Sequence, residues 1–185
     1  MISTNDMRPG QTLELEGTLF TILNYQHVKP GKGQAFVKTK LRNLKSGAVV
    51  DKTFRADEKV NLAVLDKREM QFLYAEDAGF VFMDNETYEQ THVDPALLGD
   101  AAKFLKDGTV CLVPMFEGTP VGAEMPLTIE LEIVDTEPGM KGDRVSGALK
   151  AATVETDAIV QVPLFLEKGD RIKVDTRSGD YISRA

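Results

Sequence analysis

The sequence of 185 residues is 42% hydrophobic and 28% charged, an ordinary globular composition with room for one domain or two to three small ones. No run approaches the roughly 18 apolar residues of a membrane span, and Met1-Ile2-Ser3-Thr4-Asn5-Asp6 lacks a basic segment leading into an apolar core, so neither a membrane anchor nor a signal peptide is expected. A single cysteine, Cys111, excludes an internal disulfide framework and fits a reducing cytoplasm. The net charge of −7 is unevenly spread: residues 1–64 carry ten Lys/Arg against six Asp/Glu (+4), residues 65–126 four against twelve (−8), and residues 127–185 eight against eleven (−3). Local charge, rather than the total, sets where a polyanion docks, and the basic excess lies wholly in the first third.

Residues 1–63 read as a small all-β unit. Pro9-Gly10 marks a turn, Gln11-Thr12-Leu13-Glu14-Leu15 alternates as a half-buried strand does, and Glu16-Gly17 turns again. From Thr18 the chain runs as a strand to Val28 and meets Lys29-Pro30-Gly31-Lys32-Gly33-Gln34-Ala35. One proline and two glycines there predict a hairpin tip, with the glycines supplying its backbone angles. Glycine on both sides of Lys32 leaves nothing bulky beside its ammonium. In the returning strand Val37, Thr39 and Leu41 share one face, and Lys38, Lys40 and Arg42 share the other. These three cations, with Lys29 and Lys32 above them, form a basic rail ending in a tip. At ~3.4 Å per residue the rail covers the length of a few phosphates. The plain alternative is a solvated strand face. Lys45-Ser46-Gly47 then turns the chain, and a strand from Ala48 to Phe54 returns to Arg55.

Residues 64–126 turn acidic. Met70 to Tyr74 reads as a strand, Asp77-Ala78-Gly79 as a turn, and Phe80 to Met83 as a strand buried on both faces. Asp84-Asn85-Glu86 leads into a strand over Thr87 to Val93. Asp94-Pro95 opens a helical segment that runs to Lys106, with a break at Gly99-Asp100 where Asp100 is placed to cap a second short helix; Gly108 stops it. Val110-Cys111-Leu112-Val113 lies in a further strand, which makes Cys111 a buried core residue rather than a nucleophile. Strands with one short helical insertion suit a small five-stranded barrel.

Residues 127–185 repeat the all-β texture. Leu127, Ile129, Leu131 and Ile133 alternate with polar residues, Ile159 to Phe165 and Arg171 to Val174 are strands, and Tyr181 to Arg184 closes the chain. A glycine-bearing loop, Glu137-Pro138-Gly139-Met140-Lys141-Gly142-Asp143, follows the first of these strands. There is no phosphate-binding G-x-x-x-x-G-K-[ST], no G-x-S-x-G elbow, and no metal-ligand spacing around His27 or His92. No catalytic or metal site is expected, and the chain does not read as an enzyme.

Lys29-Pro30-Gly31-Lys32-Gly33 followed by Gln34-Ala35-Phe36 resembles the tip of the bacterial translation elongation factor P family. The resemblance extends over the whole chain. It takes in residues 1–10, Asn85-Glu86-Thr87-Tyr88-Glu89-Gln90, residues 134–143, Gln161-Val162-Pro163-Leu164-Phe165, and Val174-Asp175-Thr176-Arg177-Ser178-Gly179 running into Tyr181-Ile182-Ser183-Arg184.

The resemblance implies three small β-barrel domains: an SH3-like, KOW-type barrel over residues 1–63, then OB folds over 64–126 and 127–185, set in an L shape like that of tRNA. It implies a ribosome contacted on both subunits between the P and E sites; no cofactor is expected, and charge and composition suggest a monomer in the cytoplasm that the single cysteine fits. There the tip lysine, here Lys32, approaches the CCA end of the P-site peptidyl-tRNA and relieves stalling at consecutive prolines. A lysine-modifying enzyme is an implied partner, since family members often carry β-lysylation or another extension at this position. Lys38, Lys40 and Arg42 would track the acceptor stem. Gly142 and Asp143 match the start of a family loop near the small subunit, and Tyr181 and Arg184 match C-terminal residues linked to function, against the alternative that Tyr181 simply closes the last barrel. The chain departs from the family at Arg144, where a small residue is common, at Ala148 for a glycine and at Ala151 for a proline. Two other readings are an elongation factor P-like paralogue and a general OB-type RNA binder. The intact tip speaks against the first. Aromatics at 7%, no Trp, and their concentration in the acidic third speak against the second.

Overall fold

The computed structural model describes residues 1–139 and 147–185, so Gly142, Asp143 and Arg144 lie outside the described residues. Short alternating segments bounded by glycine turns build antiparallel sheets, and among the described residues there is no α-helix. The first sheet comprises β1 (Ile2–Ser3), β2 (Thr12–Leu15), β3 (Thr18–Val28), β4 (Phe36–Asn43), β5 (Val49–Arg55) and β6 (Lys59–Ala63), in the order β1-β6-β2-β3-β4-β5. Its inward set, Leu13, Ile22, Leu41, Phe54 and Val60, packs with Met7 into one buried cluster. Glu16 and Gly17 both take positive φ (51° and 76°), as the two-residue turn joining β2 to β3 requires. Strands β1 and β6 are not evident in the sequence. Their inward residues are defined by distant partners, Ile2 opposite Val60 and Leu62 opposite Leu13.

The second sheet comprises β7 (Asp66–Glu76), β8 (Gly79–Asp84), β9 (Gln90–Val93), β10 (Val110–Phe116) and β11 (Thr119–Pro120), ordered β11-β10-β7-β8-β9. The strand expected from Thr87 begins only at Gln90. Asp84 is buried, and its carboxylate accepts the backbone N–H groups of Glu86 (2.7 Å) and Thr87 (3.1 Å), which holds both residues in a turn. The helical segment forms as two 3₁₀ turns, Pro95–Leu97 and Gly99–Phe104. Asp94 caps the first, accepting from the Ala96 N–H at 2.9 Å. Asp100 caps nothing: the second turn starts one residue earlier, at Gly99, whose positive φ of 59° breaks the first, and Asp100 lies inside it.

The third sheet comprises β12 (Thr128–Thr136), β13 (Leu149–Val154), β14 (Ile159–Pro163), β15 (Arg171–Asp175) and β16 (Tyr181–Arg184), ordered β14-β13-β12-β15-β16. Ile129, Leu131 and Ile133 point into the core, whereas Leu127 precedes the strand and is 62% exposed. Pro163 ends β14 by removing a ladder donor, so Phe165 does not continue the strand as expected and is left exposed. β13 gives little sequence signal, because only Ala152 and Val154 of its six residues are buried.

The described residues form two compact units, Met1–Arg68 with Val113–Ala123, and Glu69–Leu112 with Glu124–Ala185. Within the second, Phe104 leaves the 3₁₀ turn to join the core made by Leu131, Ile133, Val154, Val160 and Ile172. Gly179 makes room for it: a Cβ there would stand 3.3 Å from Phe104 Cζ. Lys106 fastens the same junction, its Nζ donating to the Glu130 carbonyl at 2.5 Å and lying 3.4 Å from Glu155 Oε1, which also accepts from Glu132 N. Truncation of a fully buried phenylalanine removes its transfer energy and leaves a cavity. Phe104→Ala is therefore expected to destabilise the protein by about 3–5 kcal/mol in urea titrations followed by circular dichroism, and a loss below about 1 kcal/mol would show that Phe104 does not hold this junction.

Candidate nucleic-acid interface

β3 and β4 pair from Phe20–Asn43 to Val28–Phe36, and the seven residues 29–35 leave the ladder as the tip. A bond from Ala56 N to the Ala35 carbonyl (3.0 Å) ties the loop's root to the chain after β5. Lys29, Pro30, Gly31, Lys32, Gly33 and Gln34 are all exposed. Only Gly33 takes positive φ (111°); the backbone-angle role expected of both glycines belongs to Gly33 alone, and Gly31 contributes by carrying no side chain beside Lys32. Pro30 closes over the loop, its Cγ 3.8 Å from where a Gly33 Cβ would lie. Among the described residues Lys32 makes no hydrogen bond or ion pair, and neither does Lys29. The ammonium at the tip is free to find an acceptor elsewhere.

Below the tip, Val37, Thr39 and Leu41 are buried and Lys38, Lys40 and Arg42 exposed. Lys38 Nζ stands 5.8 Å from the Phe36 ring centroid, over its face, which steadies the upper end of the row. The neighbouring strands complete the surface. Gln26 and Thr53 flank Lys38 in register, Asn24 and Asp51 flank Lys40, and Thr21 and Val49 flank Arg42. Asn24 and Gln26 escape a reading of the sequence because the register shifts between Ile22 and Asn24; simple alternation from buried Ile22 would turn Asn24 inward, and the bulge turns it outward beside Lys40. Asp51 and Thr53 have no local signal, since only strand pairing brings them to this face.

Tyr181 and Arg184 lie on β16, in the third sheet. Three positions apart, they would sit on opposite faces of a regular strand. A register shift places Tyr181 opposite Val174 and Arg184 opposite Ile172, so both lie on the same side. Tyr181 is half-buried against the core of its own sheet. Arg184 Nη2 donates to Asp170 Oδ1 at 2.6 Å, joining the strand to the Lys168-Gly169-Asp170 turn. In the preceding turn, the Arg177 guanidinium and backbone N–H donate to Asp175 and hold its carboxyl below the usual aspartate range.

The histidines stand apart. Among the described residues His27 Nε2 is buried without a partner, and His92 pairs with Glu76 at 3.0 Å on the surface. Among the described residues no group of three or more His, Cys, Asp or Glu side chains is arranged to hold a metal ion, and no helix is long and apolar enough to cross a membrane. The sequence matches the Elongation factor P (EF-P) KOW-like domain over residues 3–60, its OB domain over 65–123, and the Elongation factor P C-terminal domain over 129–184. The chain belongs to the elongation factor P family. Elongation factor P of Pelotomaculum thermopropionicum is 53% identical over 184 residues, with both chains fully covered, and that of Beutenbergia cavernae is 55% identical, covering 100% of this chain and 99% of its own. Among solved structures, eukaryotic translation initiation factor 5A from Methanococcus jannaschii superimposes with a TM-score of 0.55 at 20% identity, over 68% of this chain and 90% of that one, which is a likeness of fold. The protein is thus a translation elongation factor with an all-β architecture of a KOW-like, SH3-type barrel and OB barrels.

Cys111 is 2% exposed, with its thiol donating to Met125 Sδ at 3.7 Å, and burial pushes its pKa up to about 11. At pH 8 almost none is thiolate, the reactive form. Native protein is expected to resist a thiol-specific disulfide reagent at pH 8 and to react with one equivalent once unfolded in urea; prompt reaction of the folded protein would contradict the buried assignment.

Proposed function

We propose that this elongation factor binds the ribosome, contacting both subunits between the P and E sites, and holds the CCA end of the P-site peptidyl-tRNA so that peptide bonds form at consecutive prolines. The observation that carries this reading is Lys32: a free, exposed ammonium at the apex of a glycine-flanked loop, above a row of exposed cations, in an elongation factor P family member. Proline has a fixed φ and a secondary amine, so the reacting partners reach attack geometry with difficulty. A factor that holds one partner in place lowers the entropic part of that barrier without transferring a proton. The protein acts here as a non-enzymatic, cytoplasmic monomer without a cofactor, with residues 1–63, 64–126 and 127–185 as its three domains.

A slender ammonium on a four-carbon stem suits RNA phosphates and riboses in a narrow channel. We assign Lys32 as the site at which a lysine-modifying enzyme adds β-lysine or another extension. Lys29, Pro30, Gly31 and Gly33 shape its loop. Lys38, Lys40 and Arg42 follow the acceptor-stem phosphates, and Gly142, Asp143, Tyr181 and Arg184 serve contacts at the other end of the chain.

In a translation system lacking the factor, protein purified from its native source is expected to relieve stalling on a consecutive-proline reporter, and Lys32→Ala is expected not to. Relief by both would remove Lys32 from the mechanism, and relief by neither would favour a paralogue or a plain RNA binder. Replacing Lys38, Lys40 and Arg42 together by Gln is expected to weaken ribosome binding and to flatten its salt dependence by roughly 0.7–0.9 in log–log slope per lost phosphate contact. An unchanged affinity and slope would refute the rail.

A further inference from the structure

Among the described residues the cationic face carries a single carboxylate, Asp51, at a telling position. On β5 the residues Val49, Asp51, Thr53 and Arg55 stand opposite Arg42, Lys40, Lys38 and Phe36, so Asp51 lies at the middle of the row, directly across from Lys40. In an antiparallel pair its diagonal neighbours, Lys38 and Arg42, stand roughly 7–8 Å away. Asp51 is exposed, and among the described residues it makes no ion pair or hydrogen bond, even with Lys40. It is therefore neither a partner that locks a lysine in place nor a turn-capping group. Asn24, Gln26 and Thr53, all neutral and polar, surround the two lysines.

We propose that Asp51 is a negative affinity determinant: a fixed anion set in the RNA-binding row that weakens its grip on phosphate and speeds release. This rests on the reading of Lys38, Lys40 and Arg42 as phosphate contacts. A row of cations alone binds any RNA backbone, because that attraction is independent of sequence. An anion at its centre lowers binding to every phosphate that passes over it and leaves discrimination to the tip, which has a defined target. For one unit charge facing a phosphate at about 7 Å across water, Coulomb's law gives roughly two- to fivefold in affinity. That range is small enough to preserve binding and large enough to set how soon a factor leaves.

The test measures binding to ribosomes carrying a P-site peptidyl-tRNA across a salt series, with Asp51→Asn, Asp51→Ser, Asp51→Glu and the Lys38, Lys40, Arg42→Gln triple variant. The two neutral variants are expected to bind roughly two- to fivefold tighter at low salt, with dissociation slowed to match and the salt dependence steepened, while Asp51→Glu behaves as the parent. Thermal unfolding of all single variants is expected to stay at the parental temperature, since Asp51 has no contact to lose. If the triple variant weakens binding but the neutral variants do not tighten it, the proposal fails and the rail stands. That outcome would leave Asp51 as a charge guarding the exposed edge of β5, beside Val49 and Val50. If the triple variant binds like the parent, the rail reading fails and the proposal falls with it.

Discussion

The register of β4 between β3 and β5 is the constraint on which the rest of the N-terminal sheet depends. Side chains alternate along a strand with a period of two, so a slip of one residue would carry Val37 and Leu41 to solvent and drive Lys38, Lys40 and Arg42 into the core. Burying three unpaired cations carries a desolvation cost far beyond anything the hydrophobic residues of one small sheet can offset. The core cluster of Leu13, Ile22, Leu41, Phe54 and Val60 and the external row of cations are therefore a single choice of register, seen from its two sides. The tip inherits that choice, because the ladder ends at Val28 and Phe36 and fixes where residues 29–35 begin and end.

The parts legible in the sequence are those encoded within a few residues. Lys38-Thr39-Lys40-Leu41-Arg42 states its alternation outright, and Pro30, Gly31 and Gly33 announce the loop. The parts that were not legible depend on pairing between distant segments. Asn24 joins the cationic face only because a bulge after Ile22 shifts the count, and Tyr181 and Arg184 share a side only because of a second register shift in β16. β6 and β13 were missed for the same reason: Lys59-Val60-Asn61 and Lys150-Ala151-Ala152 have inward residues only once their partners are known. The Asp94 cap and the break at Gly99 are both legible in the sequence; that the two segments are 3₁₀ turns is not, because Gly99 stops the first before an i to i−4 ladder can form.

Charge along the chain gives the proposed RNA face its polarity. The excess of +4 in residues 1–64 sits where the tip is, and residues 65–126 carry −8. An acidic segment repels a phosphate backbone at the distances over which a basic one attracts it, so encounters productive for binding are those led by the first sheet. The exposed Tyr74 and Tyr88 belong to the acidic segment, where stacking on bases would have to overcome that repulsion. Their exposure therefore does not mark a second RNA platform.

A factor that acts, as proposed, by position alone is useful only to the extent that its contacts are already ordered before binding. The first sheet satisfies this through the β3–β4 ladder, whose residues lose little freedom on docking. Lys32 is the exception. Its side chain carries up to about 2 kcal/mol of rotamer entropy, which the proposed contact with RNA would require it to surrender. The loop limits the additional backbone loss: Pro30 has a fixed φ, and its ring lies against Gly33, one of the tip's two glycines. Any extension of Lys32 lengthens its reach and adds rotors together. It helps only if the new donors gain more than their ordering costs, which favours an extension that brings hydrogen-bonding amines rather than bare length.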